Sequence, residues 1–135
     1  MRRWVFNNRL KNVGTFQKIE FPKYPREEFE LVAWQKLLKY QTAFKKLQEL
    51  DPAIEHVGIS NYNNTLSVDI KDLGTYKISV DIPNSLVYLF SPYSGTYSYY
   101  YKKDQDQWAN TKDEHYMEDL VTRELLRFCK GYLDL

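Results

Sequence analysis

Three carboxylates and one imidazole lie close together in the sequence: Glu49, Asp51, Glu55 and His56. Oxygen ligands together with a single imidazole can hold a hard divalent cation such as ferrous iron, although weakly. This pattern also fits a solvated helix end, where charged side chains face water and hold nothing. The pattern alone favours the solvated helix end, and the metal site is kept as a candidate.

Other chemistry is sparse in this chain. It has none of the glycine-rich phosphate loops, dinucleotide-binding fingerprints, zinc-protease motifs or serine nucleophile elbows that signal common enzymes. His115 is the only other histidine, and Cys129 is the only cysteine, so the single chain can form no disulfide and no paired-cysteine metal site. Cys129 lies beside the apolar stripe of the last predicted helix, which predicts a buried, unreactive thiol. We therefore expect no catalysis by the chain's own side chains.

The elements that position these residues follow from hydrophobic periodicity. Residues 26–50 repeat apolar side chains every three or four positions, which predicts a long helix ended by Asp51 and Pro52. Residues 57–110 alternate with a period of two between short turns, which predicts five or six antiparallel strands. Residues 114–130 form a second amphipathic helix, with a capping box at its start. We expect an α+β fold, a two-layer α/β sandwich with both terminal helices on one face of the sheet.

The sheet face opposite the helices is predicted to carry large apolar side chains. Alternation places Ser79, Leu86, Tyr88 and Phe90 on that face, and adds one residue of the tyrosine-rich strand, Tyr99 or Tyr101. A contiguous apolar area on an open face indicates a binding surface. The alternative is that a loop or the N-terminal segment covers it. Base stacking by these aromatic residues is less favoured because few basic residues accompany them, and we expect no nucleic-acid partner.

The N-terminal segment differs in charge from the rest of the chain. Residues 1–19 contain five basic residues and no acidic residue, whereas the whole chain has a formal charge of +1. Interspersed apolar residues make this segment similar to an organellar presequence, and a basic arm is the alternative. We divide the chain into residues 1–22, the basic segment, and residues 23–135, one folded domain. No apolar run is long enough to span a membrane, so no membrane partner is expected.

The middle of the chain resembles one known family. The runs Asp72–Ile78 (DLGTYKI), Pro83-Asn84 and Val87–Gly95 (VYLFSPYSG) are similar to the central sheet signature of frataxins, and the last helix and tail, from Glu124 to Leu135, are similar to theirs. The resemblance covers residues 27–135. It implies a location in the mitochondrial matrix or a mitosome. It also implies binding to the cysteine desulfurase and its iron–sulfur scaffold protein, and weak binding of iron.

The resemblance also assigns roles to particular residues. Tyr88 stands where frataxins carry an exposed tryptophan, and Trp108 matches another family tryptophan. The surface expected to bind the partner comprises Ser79, Asn84, Leu86, Tyr88, Tyr101 and Trp108. The acidic ridge of the family's first helix is replaced here by Trp34, Gln35, Leu38, Thr42, Lys45 and Lys46. Because lysines repel a cation, these replacements weaken the case for iron on that helix.

Three functional hypotheses remain open from the sequence. The first is a protein-binding regulator of iron–sulfur cluster assembly, acting through the exposed sheet face. The second is a ferrous iron carrier or ferroxidase that uses Glu49, Asp51, Glu55 and His56. The third is an unrelated protein that binds its ligand on the sheet face. We expect a monomer, and an oligomer that forms with iron is kept as the alternative.

Overall fold

The computed structural model describes residues 21–60 and 63–135. Two helices enclose six strands in the chain order α1 (Arg26–Leu50), β1 (Ile54–Ser60), β2 (Thr65–Ile70), β3 (Gly74–Asp81), β4 (Leu86–Ser91), β5 (Gly95–Lys102), β6 (Gln107–Asn110) and α2 (Met117–Phe128). None of the helices in this part of the chain is both long and apolar enough to cross a bilayer. Residues 1–20 of the predicted basic segment lie outside the described residues.

The first helix has the predicted bounds. Pro25 precedes it and Asp51 is its C-cap, with the Asp51 amide donating to the Leu47 carbonyl. Glu27 and Glu28 occupy the first turn, where the positive end of the helix dipole favours acidic side chains. The whole predicted stripe is buried: Phe29, Ala33, Leu37, Tyr40, Phe44 and Leu47. The periodicity therefore identified the face of α1 that packs on the sheet.

The six strands form one antiparallel meander in sequence order. In β2 the apolar residues Leu66, Val68 and Ile70 are buried while the residues between them are partly exposed. Gly74 begins β3 with a φ of +131°, a conformation that side chains with a Cβ rarely adopt. Both helices cover one side of the sheet, which confirms the predicted two-layer sandwich. We call the uncovered side the outer face.

The second helix begins later than predicted, at Met117 instead of residue 114. Glu114 has a φ of +63°, which a helix cannot include. The predicted capping box is also wrong, because the Thr111 hydroxyl bonds to the Ser98 hydroxyl at 2.6 Å. Asn110 Oδ1 instead accepts the amide of Lys112 at 2.8 Å and organises the turn. These contacts hold residues 111–115 against the sheet before α2 starts.

Glu124 is a carboxylate buried between α2 and the sheet, and it is only 4% exposed. Its Oε1 accepts hydrogen bonds from the Tyr76 hydroxyl at 2.7 Å and the Ser91 hydroxyl at 2.6 Å. Its Oε2 accepts a bond from the Ser94 hydroxyl. Hydroxyl donors thus compensate for the desolvation of this group and fix α2 to the turn between β4 and β5.

Candidate partner-binding surface

The centre of the outer face is formed by β4. Leu86, Tyr88 and Phe90 alternate with the buried Val87 and Leu89. Because side chains on a strand alternate between the two faces, these three project together away from the helices.

The neighbouring strands supply polar groups at defined positions. Tyr88 lies opposite Ser79 of β3 and Ser98 of β5, and Leu86 lies opposite Asp81. The structure therefore brings together four predicted site residues, Ser79, Leu86 and Tyr88 on the strands and Asn84 in the preceding turn.

A hydrogen-bond network holds Tyr88 in place. Asp81 Oδ2 accepts a bond from the Tyr88 hydroxyl at 3.1 Å and another from Asn84 Nδ2 at 2.8 Å. The pKa of Tyr88 is raised above its ordinary value, mainly by partial burial and also by the hydrogen bond to Asp81. Tyr88 is therefore a neutral, oriented aromatic ring at physiological pH. Asp81 was not among the predicted site residues, although the period-two alternation of β3 places it on this face.

Apolar area remains exposed beside this network. Phe90 is 40% exposed, and Leu86 and Tyr88 are half-buried. A large aromatic side chain open to water is a source of binding free energy, because docking removes its surface from solvent. The combination of an aromatic centre and flanking hydroxyl and carboxylate groups is typical of a protein-binding surface.

A cavity of about 320 Å³ opens next to Tyr88. Its lining includes Asp113 and His115, which the sequence pattern predicted only as part of a helix start. His115 Nδ1 lies 2.6 Å from Asp113 Oδ1, and His115 Nε2 lies 2.8 Å from the Tyr99 hydroxyl. The amide and ring of His115 both lower the pKa of Asp113. The cavity therefore offers an ionised carboxylate close to Tyr88.

Two residues predicted to bind the partner do not lie on the outer face. Trp108 is 1% exposed, and its ring packs edge-on against Phe29 of α1 with centroids 5.6 Å apart. Tyr101 is 6% exposed and lies next to Trp108, at 5.1 Å between centroids. The prediction that Tyr101 belongs to the exposed face is wrong, as it is for Tyr99, which is fully buried. All three side chains project towards the helices and form core.

The predicted metal ligands do not converge on one point. Among the residues that the structure describes, no three histidine, cysteine or acidic side chains lie close enough to hold a metal ion. Asp51 is 3% exposed, and its two oxygens accept the amides of Ala53 at 2.9 Å and Lys130 at 2.6 Å. These two bonds lower the pKa of Asp51.

The other three predicted ligands are dispersed around Asp51. Glu49 and Glu55 are exposed, and His56 lies on the outer face opposite Asp69. The prediction of a four-residue iron site is therefore wrong in its geometry. Both oxygens of Asp51 accept backbone amides, and His56 projects from the outer face of the sheet.

Comparison with known proteins agrees with this architecture. A family model described as a frataxin-like domain matches residues 22–131. The chain is 28% identical over 102 residues to "Frataxin, mitochondrial" of Caenorhabditis elegans, covering 75% of this chain and 74% of that protein. It is also 28% identical over 76 residues to the Arabidopsis thaliana protein of the same name, covering 56% of this chain and 41% of that protein.

Solved structures share the fold. A trimeric frataxin from the yeast Saccharomyces cerevisiae, complexed with ferrous iron, superposes with a TM-score of 0.62 and 22% identity, covering 82% of this chain and 91% of that one. A second structure of yeast frataxin gives a TM-score of 0.64 and 24% identity, covering 77% and 82%. The family model spans most of the sequence and nearly the whole sandwich, and on this basis the chain belongs to the frataxin family.

Proposed function

We propose that this chain is a non-catalytic regulator of iron–sulfur cluster assembly that binds a cysteine desulfurase and its scaffold protein. Membership of the frataxin family supports a role in iron–sulfur cluster assembly and iron handling. Both relatives described above are named mitochondrial frataxins, so we propose a mitochondrial location for this chain. Binding would favour one conformation of the partner complex, which requires no reaction at the chain's own side chains.

One observation carries this proposal: an oriented aromatic residue stands at the centre of the uncovered sheet face. Tyr88 is fixed by Asp81 and flanked by the exposed Phe90. Residues that dominate binding energy are commonly tyrosine, tryptophan and arginine, and they lie near the centre of an interface. Tyr88 meets both criteria on the outer face.

A pull-down of the full chain with the desulfurase–scaffold complex of the same organism tests the proposal. We expect Tyr88→Ala to weaken binding by about 30-fold or more, the effect of losing a dominant interface residue. Tyr132→Ala is the matched control, because Tyr132 is 70% exposed and lies after α2. Equal loss in both variants, or no binding by the unmodified chain, would refute the assignment of the outer face.

The iron-carrier alternative makes a different prediction. One yeast relative is described as complexed with ferrous iron. In this chain the four candidate ligands are separated, so the regulator is the better-supported function. Ferrous titration of the full chain, run beside the Glu49→Gln and Glu55→Gln variants, distinguishes the two. Binding of ferrous iron with a micromolar Kd, lost in each of the two variants, would support the iron carrier.

The oligomeric state stays a prediction. The yeast structure complexed with ferrous iron is described as trimeric, whereas we propose that this chain binds its partner as a monomer. Sedimentation velocity with and without ferrous iron measures the assembly directly. A trimer in iron-free buffer would contradict the monomer.

A further inference from the structure

The chain enters the folded domain from the outer side of the sheet. The ring of Phe21 stacks on Tyr100, with centroids 4.8 Å apart and an angle of 29° between the ring planes. Tyr100 is on the outer face, because it pairs with Leu86. Its 8% exposure shows that this part of the face is already covered.

The following residues cross the end of the sheet to reach the helical layer. The Tyr24 amide donates to the Ser85 hydroxyl at 3.2 Å, and the Tyr24 hydroxyl donates to the Tyr101 carbonyl at 2.8 Å. Helix α1 then starts at Arg26 on the opposite side. Phe21, the first described residue, therefore lies on the side of the sheet where Leu86, Tyr88 and Phe90 are uncovered.

We propose that residues 1–20 of this same chain dock on the outer face, across β4, and occupy the partner-binding surface. This inference rests on the proposed function, and it adds that the N-terminal segment lowers the affinity of the full chain for its partner.

Reach and composition both fit this occupant. Extended chain advances about 3.3 Å per residue and neighbouring strands are about 4.8 Å apart, so about three residues span the distance from β5 over β4 to β3, and six residues are ample. The six residues before Phe21 include Phe16 and Ile19, which are apolar like the surface they would cover. Side chains two positions apart on an extended chain share a face, so Ile19 would lie on the same side as Phe21.

Charge is also complementary. Residues 1–19 carry five basic residues and no acidic one. Across β2 and β3 the outer face presents the carboxylates of Asp69 and Asp81 against the single amine of Lys77. Attraction between opposite charges near a protein surface would hold the basic segment over this face.

A covalent tether makes even weak docking effective. A short flexible linker gives an effective concentration of the order of 1 mM. A contact with an intrinsic Kd of about 0.1 mM would then leave only about a tenth of the molecules open. The apparent affinity for the partner would fall about tenfold, in proportion to the open fraction.

Photo-crosslinking of the full chain locates the segment. Benzoylphenylalanine replaces Phe90 on the outer face or, as the matched control, Leu31, which is 58% exposed on α1. We expect crosslinks within one chain from position 90 to residues 1–20, in at least tenfold higher yield than from position 31. Equal yields would overturn the proposal, as would crosslinks that join only separate chains, which would indicate a second copy on this face.

A binding measurement then separates the two proposals. In the full chain, replacing the apolar residues Trp4, Phe6 and Phe16 by serine keeps every basic residue and should tighten binding to the desulfurase–scaffold complex about tenfold. Equal affinity of the two forms would overturn the docking of the segment while leaving the proposed function intact. Failure of both forms to bind, with the crosslink present, would overturn the proposed function alone.

Discussion

Replacing Glu124 should cost more stability than any change at the surface. Glu124→Ala leaves two buried donors, the Tyr76 and Ser91 hydroxyls, without their acceptor, whereas the exposed Ser94 can bond to water. A buried donor without an acceptor costs about 1–3 kcal/mol, and the two donors together with the lost packing of the Glu124 side chain account for about 3–5 kcal/mol. We therefore expect a loss of about 3–5 kcal/mol in the free energy of unfolding.

The assay is urea unfolding followed by circular dichroism, with thermal melts in parallel. For a domain of this size 1 kcal/mol corresponds to roughly 4 °C, so Tm should fall by about 12–20 °C. Glu124→Gln keeps one carbonyl acceptor and should lose about 1 kcal/mol. The exposed Glu49→Ala is the control and should change stability by less than about 0.5 kcal/mol.

The pair of Glu124 variants tests the reasoning directly. A loss below about 1 kcal/mol for Glu124→Ala would show that the hydroxyl network does not hold α2 to the sheet. An equally large loss for Glu124→Gln would show that the negative charge, and not the acceptor geometry, is what matters.

Three further predictions concern acid stability, thiol reactivity and a turn. The pKa of Asp51 is lowered in the folded state, so its ionised carboxylate stabilises the fold above the unfolded pKa of about 3.9. This stabilisation is lost as the pH falls through the pKa of the folded state. Asp51→Asn should therefore flatten the dependence of the unfolding free energy on pH below about 4. Burial raises the pKa of Cys129 to about 11, so Ellman's reagent at pH 8 should react about a hundredfold more slowly with the folded chain than with the urea-unfolded chain. Gly74→Ala should lower the free energy of unfolding by about 1–3 kcal/mol in urea melts, because the added Cβ would lie 2.8 Å from Pro92 Cβ. At the control position, the Cβ of Gly95→Ala meets no atom within 4 Å, so this variant should lose less stability.

Each of these three predictions can be contradicted by the measurement that tests it. An unchanged acid profile for Asp51→Asn would mean that the amides of Ala53 and Lys130 do not stabilise the carboxylate. Rapid labelling of the folded chain would place Cys129 in an open environment. A larger loss at position 95 than at position 74 would show that backbone conformation outweighs the contact with Pro92.

Sequence periodicity alone determined the layers of this protein. The spacing from Phe29 to Leu47 predicted both the extent and the buried face of α1, because a helix repeats every 3.6 residues. Alternation in β2, β3 and β4 placed Ser79 and Tyr88 on the uncovered face, because successive side chains of a strand point to opposite faces of the sheet. The frataxin-like runs around Gly74 and Gly95 predicted the family that the matching domain model confirms.

Tertiary structure decided the points that local patterns do not encode. The crowded tyrosines and the four-residue strand β6 give too little alternation to orient Tyr101 and Trp108, and only packing against α1 shows that they are core. Asp51 resembles a metal ligand in the sequence, yet its oxygens bind the amide of Lys130, 79 positions away. A residue can bind a metal or a partner only if its side chain is not already bonded or packed within the fold. The groups that occupy such side chains come from distant parts of the chain, so the local sequence does not reveal them.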